Sequence, residues 1–200
     1  LKKIVLYKNL LVVIMLVLVL VLGMNIQSAS AYFTLPYRWP DNIFYYKIDS
    51  SANDLTSLIS NAANSWNTTT PVSISNSSTG EILIKKVNDS TVTWSGKTNL
   101  YVGSIGGKYY YNQGIVQINQ AKIGSYTSLQ KQGVIAHEFG HVIALADDNG
   151  YLLYGDPKVL MLGYDSERHK LGIYTPQSVN KYVPGVGYVY GDIEGANYLY

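Results

Sequence analysis

The sequence predicts an α/β (α+β) fold, on three observations. Short runs rich in branched and aromatic residues, such as Ile43–Ile48 (IFYYKI), alternate with clusters of turn-forming residues and read as strands. Two longer segments, residues 53–66 and 128–146, carry apolar residues at helical spacing instead. A third helical candidate closes the chain at residues 191–200. A length of 200 residues suits one domain with a substantial core.

Arg38-Trp39-Pro40 opens the domain, the first strand follows, and Asp49-Ser50-Ser51 turns the chain. Leu55, Leu58, Ile59, Ala62, Ala63 and Trp66 then mark one face of a helix. Thr68-Thr69-Thr70-Pro71 ends it, because a proline disfavours helix in the residue before it. Val72–Ile74, Glu81–Val87, Leu100–Ile105 and Gly114–Asn119 are four further strand candidates. Gly106–Asn112 between the last two is expected to be a loop or hairpin tip. Its tyrosines, Tyr109, Tyr110 and Tyr111, read either as an amphipathic surface or as a substrate contact.

The second helix is expected to start near Ser128, capped by Thr127 together with Gln130 or by Ser128 itself. Leu129, Ile135, Phe139, Val142 and Ala146 would bury along one face, with His137, Glu138 and His141 on the neighbouring face toward a cleft. Gly140 inside this helix costs about 1 kcal/mol relative to alanine, which implies close packing there. Beyond it, Asn149-Gly150 and Gly155-Asp156-Pro157 predict an irregular path.

The first 31 residues read differently. Lys2, Lys3 and Lys8 precede an unbroken apolar run, Leu10–Leu22, and Ala29-Ser30-Ala31 supplies a small-x-small cleavage site. A membrane anchor is the competing reading, but the run is shorter than the roughly 18–20 residues needed to span. Residues 1–31 are therefore expected to be a signal peptide. Residues 32–200 would then be the mature domain of a secreted, extracellular bacterial protein with no stable membrane association after cleavage, and a monomer. Three of the 15 Lys and Arg lie in the signal, which leaves 12 against 13 Asp and Glu and a formal charge of −1. That balance gives no nucleic-acid footprint. The absence of cysteine excludes a disulfide scaffold and a propeptide thiolate that could silence a metal.

The chemistry concentrates in His137-Glu138-Phe139-Gly140-His141, an H-E-x-x-H motif that holds two of the chain's three histidines. Residues four apart sit one above the other on a helix face. Two imidazoles so placed can ligate one Zn²⁺ at roughly 2.0–2.1 Å each. Glu138 can then point into the same cleft as a general base toward a water that the metal acidifies to a pKa of about 7.

With these residues in place, the chain resembles the metzincin zinc metallopeptidases, and among them the matrixin-type catalytic domain. The metzincin pattern H-E-x-x-H-x-x-G-x-x-H/D falls on His137, Glu138, His141, Ala144 and Asp147. Met161, the only methionine outside the signal, stands where such a protein places its Met-turn. Asp192–Tyr200 resembles the closing helix. The resemblance implies a twisted mixed sheet of about five strands, an active-site helix, a backing helix and a C-terminal helix. It also implies zinc held by His137, His141 and Asp147, an aspartate third ligand as in snapalysin-like peptidases, and a protein or peptide substrate. Asp148 is the next candidate for the third position, followed by Glu167 and His169. His169 also reads as a surface imidazole in the charged run 165–170. Calcium accompanies such domains in loops, but the aspartates here compose no recognisable loop and no calcium site is assigned. Two departures stand out. Ala144 replaces the glycine at which the helix turns back, a strained substitution if that turn needs positive φ. Tyr164 lies three residues after Met161, where some metzincins carry a functional tyrosine at two.

The expected activity is thus secreted zinc-dependent endopeptidase, with Glu138 as general base. Two alternatives differ in kind: a zinc-stabilised binding protein on a metallopeptidase scaffold, and a narrow-specificity hydrolase of cell-wall peptides. Retention of Glu138 argues against the first, and the lack of a recognisable wall-binding module against the second.

Overall fold

The computed structural model describes residues 34–148, 159–183 and 187–200. The expected signal peptide and its cleavage site, and the turns at 149–150 and 155–157, lie outside the described residues. Among the described residues no helix is long and apolar enough to cross a membrane.

Five strands form one mixed sheet: β1 (Ile43–Ile48), β2 (Ser73–Asn76), β3 (Ile82–Val87), β4 (Gly96–Ile105) and β5 (Lys108–Asn119), in the order β2-β1-β3-β5-β4. The first four strands in that order run parallel, and β4 pairs antiparallel with β5 at the end of the sheet. The strands form because side chains alternate between faces. Phe44 and Tyr46, Ile82 and Ile84, and Val116 and Ile118 are all buried on one of them. Helix α1 (Thr56–Asn67) packs against β2, and the short α2 (Gln120–Ile123) follows β5. Helix α3 (Ser128–Val142) packs against α1, β4 and β5. Then come α4 (Asp165–Leu171), an antiparallel pair β6 (Asn180–Val183) and β7 (Gly187–Tyr190), and α5 (Asp192–Leu199).

The predicted α/β class, the five strands and the three helices are all found. Several boundaries are not. Residues 108–112, expected as loop, belong to β5, and the tip shrinks to Gly106-Gly107, both at positive φ. Two glycines free of the Cβ penalty make the tight turn that lets both strands run on. Tyr109 and Tyr111, two apart, share one face of the strand, where Tyr37 packs against both rings; Tyr111 is buried there and Tyr109, nearer the tip, is exposed. Strand β4 starts at Gly96 rather than Leu100, carried by antiparallel pairing with residues 113–118 that no local pattern announces. A 3-10 turn at Ser50–Leu55, capped by Asp49, precedes α1. Leu129, expected in the core, is 58% exposed. The charged run 165–170 is helical, and it buries Arg168.

Two tryptophans fix α3 against the core. Trp66 Nε1 donates to the Ala136 carbonyl at 2.8 Å, and Trp39 Nε1 to the Val142 carbonyl at 2.7 Å. The latter satisfies one of the carbonyls that a helix C-terminus leaves without a partner. At Gly140 the close packing expected from the sequence is present. An added Cβ would stand 3.0 Å from Met161 Cε, nearer still to its sulfur, and 3.1 Å from Trp66 Cζ2. Met161 is buried and has little room to retreat. Gly140→Ala is therefore expected to destabilise the protein. Overpacking of about 1–3 kcal/mol outweighs the gain of about 1 kcal/mol in helix propensity. Urea unfolding of the two proteins decides it, and a stabilised alanine variant would contradict the packing.

Candidate metal centre and active site

Helix α3 starts with the expected capping box: the Gln130 amide donates to Thr127 Oγ1 at 3.3 Å and the Thr127 amide to Gln130 Oε1 at 2.8 Å. Its end is what shapes the site. Ile143 caps the helix, and Ala144 stands at φ +69°, the only non-glycine at positive φ among the described residues. The Ala144 amide donates to the His141 carbonyl and the Leu145 amide to the Gly140 carbonyl, both at 3.0 Å. This is a Schellman closure, the arrangement that normally takes glycine. Alanine there costs about 1 kcal/mol or more. The turn sends residues 145–148 back across the helix, where Leu35 donates to the Ala144 carbonyl at 2.8 Å. The helix does not continue, and Asp147 comes round to the face that carries His137 and His141.

His137, His141 and Asp147 converge there, with donor atoms within 4.8 Å of one another. Asp147 Oδ1 lies 3.2 Å from His137 Nε2 and 3.5 Å from His141 Nε2. Each imidazole is oriented from behind: His137 Nδ1 lies 2.9 Å from the Leu160 carbonyl, and His141 Nδ1 lies 2.9 Å from the Leu145 carbonyl. The Leu145 carbonyl only accepts, so His141 Nδ1 carries a proton, whereas at His137 Nδ1 the Leu160 carbonyl accepts and Arg168 Nη1 donates; both Nε2 atoms face Asp147.

Electrostatics sharpen this convergence. Burial first, and then the Arg168 guanidinium, push His137 down to about 3, so it is neutral at ordinary pH. Burial works in the other direction on Asp147, but the two imidazoles beside it hold its carboxyl well below the usual range. For His141 the lowering by burial is outweighed by Asp147 and Glu138, and its pKa is raised, so a proton there competes for the place a cation would take. Two imidazole nitrogens and a carboxylate oxygen aimed at one point repel unless positive charge sits among them. This is a donor set that zinc accepts, with room for a fourth position. Arg168 is 2% exposed and holds the Leu162 carbonyl and Asp165, with Nη1 3.0 Å from His137 Nδ1.

Glu138 is buried beside this cluster, and burial raises its carboxyl above the ordinary value. Thr98 on β4 donates to Glu138 Oε2 at 2.7 Å. The cluster and Glu138 open into a cleft of about 760 Å³, bounded by Gly96–Thr98 of the β4 edge, Tyr126 and the 163–166 segment. Of the other candidates for the third ligand, Asp148 lies outside the cluster; it is buried, and the Met161 carbonyl accepts its amide at 2.7 Å. Glu167 pairs with Lys170 at 2.7 Å. His169 is half-buried with its ring edge-on to Tyr126 at 4.7 Å, neither a fully exposed imidazole nor a member of the cluster. Tyr164 is 53% exposed at the rim of the cleft. Met161 lies under α3, as its contact with Gly140 shows.

Sequence reading missed three residues that touch these groups: Thr98, Arg168 and Asp192. Thr98 lies 40 positions from Glu138 and outside the strand expected from the sequence, so no local signal carried it. Asp192, directly after a glycine and at the head of the last helix, carried the signature of an N-terminal helix acid.

Fold and site together define an α/β domain with a His-His-Asp cluster able to hold a metal ion and a buried carboxyl at the edge of a mixed sheet. Among solved structures, the chain is similar to myroilysin, with 14% identity over 63% of this chain and 66% of that one, at a TM-score of 0.42. It is also similar to high choriolytic enzyme 1, a hatching enzyme zinc-protease from Oryzias latipes (medaka fish). That match has 16% identity over 56% of this chain and 49% of that one, at a TM-score of 0.33. The alignments thus span about two thirds and one half of those proteins. No protein-family model matches the sequence, and no curated protein does.

Proposed function

We propose that this chain is a secreted zinc-dependent endopeptidase of the metzincin, matrixin-like kind, with an aspartate as third ligand in the snapalysin-like manner. The observation that carries the reading is the convergence of His137, His141 and Asp147 beside a buried Glu138, in a cleft along a sheet edge. His137 Nε2, His141 Nε2 and Asp147 would hold the metal, and zinc there supplies a Lewis acid that acidifies water and polarises a carbonyl.

The chain's own residues account for the rest. Strand β4 has one edge on β5 and stands last in the sheet, so its other edge is available for an extended peptide to pair antiparallel to it. Such pairing lays the scissile carbonyl across the cleft opposite Glu138. Glu138 takes a proton from the attacking water as the new C–O bond forms. It then hands that proton to the amine as the C–N bond breaks. A carboxyl raised by burial is suited to both steps near neutral pH.

The test is elemental analysis of protein beginning at Tyr32, paired with casein hydrolysis with and without a chelator. One zinc per chain and chelator-sensitive cleavage are expected. Absence of zinc at saturating supply overturns the reading, and zinc without cleavage of any peptide moves the protein to a binding role.

A further inference from the structure

On the reading of Glu138 as the general base, we propose that Thr98 and Gly96 are its positioning residues: together they fix which carboxylate oxygen faces the reacting water. Both lie on β4 and, two apart, on the same face of the strand. Gly96 pairs with Ile118 and Thr98 with Val116, so both are set by the register of β4 on β5. The Thr98 hydroxyl stands 2.7 Å from Glu138 Oε2 and 3.1 Å from the Glu138 backbone carbonyl. It has one proton to give, and an ionised carboxylate is the stronger acceptor. Oε2 is thereby engaged from the sheet side.

Gly96 does the complementary thing by what it lacks. A Cβ there would stand 2.7 Å from Glu138 Cγ and 2.8 Å from Cδ, so the carboxylate occupies the space that a side chain at position 96 would fill. Gly96 is not at positive φ. Backbone conformation does not call for glycine here, and close approach does. Glu138 thus sits in a slot with a hydroxyl on Oε2 and the bare backbone of Gly96 against Oε1, and on this proposal Oε1, the oxygen that the hydroxyl does not hold, is the one that meets the water. Because the slot belongs to a paired strand rather than a loop, it holds that orientation before substrate arrives.

The test uses the mature chain loaded with zinc. Thr98→Val keeps the shape and removes the hydroxyl. It is expected to lower kcat by about 10–100-fold, the scale of a misplaced reacting group, with KM and zinc content unchanged. Thr98→Ser restores the hydroxyl and is expected to recover most of the loss. Gly96→Ala is expected to lower kcat likewise, with zinc retained. A Thr98→Val enzyme within about twofold of the wild type overturns the proposal, as does a serine variant no better than valine.

A second measurement needs no activity. In metal-free protein, Thr98→Val should shift the urea midpoint when Glu138 is present and leave it unshifted in a Glu138→Leu background. Equal shifts in both backgrounds overturn the contact. Should the wild type load zinc and cleave nothing, the peptidase reading falls, and this cycle still decides whether Thr98 holds the carboxyl.

Discussion

Glu138→Gln is expected to lower kcat by about 10²–10⁴-fold, the contribution of a positioned general base, while the protein keeps one zinc per chain. Glutamine has the shape of glutamate and still offers an oxygen to the Thr98 hydroxyl, so the slot on β4 stays filled. What it lacks is the capacity to take a proton. The pH profile carries a second sign. Glu138 is held above the ordinary carboxylate range by burial, so the wild-type rate should rise with pH through that raised value as the base becomes ionised. The glutamine variant should lose that acid limb, because its residual rate no longer depends on the ionisation. Steady-state kinetics on one peptide across pH 5–9, with zinc measured on the same samples, reads both. Turnover near the wild-type level in zinc-loaded variant would assign the base to another residue. Loss of zinc together with activity would make Glu138 a support of the ligands instead.

How much of this was legible in the sequence depends on the distance over which each feature is decided. The helix of the H-E-x-x-H motif, its Thr127–Gln130 cap and the tight packing at Gly140 are local, and each was read from a few adjacent residues. The five strands were also visible, since branched and aromatic alternation is local too. The extension of β4 and β5 was not. Lys108–Asn112 looks like a loop until its partner strand, residues 102–105, is placed beside it. Asp147 lay between the two. The family pattern pointed to it, but only the Schellman turn at Ala144, strained at φ +69°, turns it toward the histidines rather than along a longer helix. The slot around Glu138, the Arg168 contact and the Asp192 latch join residues 40, 31 and 31–32 positions apart, and no periodicity encodes them.

Asp192→Ala is expected to cost on the order of 3 kcal/mol of stability near pH 5, and to weaken zinc by about 10–100-fold through a residue that never touches it. The carboxylate accepts three backbone N–H bonds: Leu160 at 2.7 Å and Gln177 at 2.8 Å on Oδ2, and Met161 at 2.9 Å on Oδ1. It is 3% exposed, and alanine leaves all three donors without this acceptor, two of them, on Leu160 and Met161, buried. Two of them belong to the segment whose Leu160 carbonyl orients His137 and whose Met161 packs on Gly140. Releasing that segment frees the first imidazole to rotate, which is how an outer partner governs metal affinity. Burial, opposed by these three amides, pushes the Asp192 carboxyl up to about 6. A folded-state value raised above the unfolded one near 4 stabilises fully below the unfolded value, and that contribution is lost as pH rises through 6. Alanine has no such term, so its penalty relative to wild type should be larger at pH 5 than at pH 7.5. Urea unfolding at the two pH values and a zinc titration at pH 7.5 measure these effects. A penalty that grows with pH would contradict the raised carboxyl, and unchanged zinc affinity would sever the link from Asp192 through Leu160 to His137.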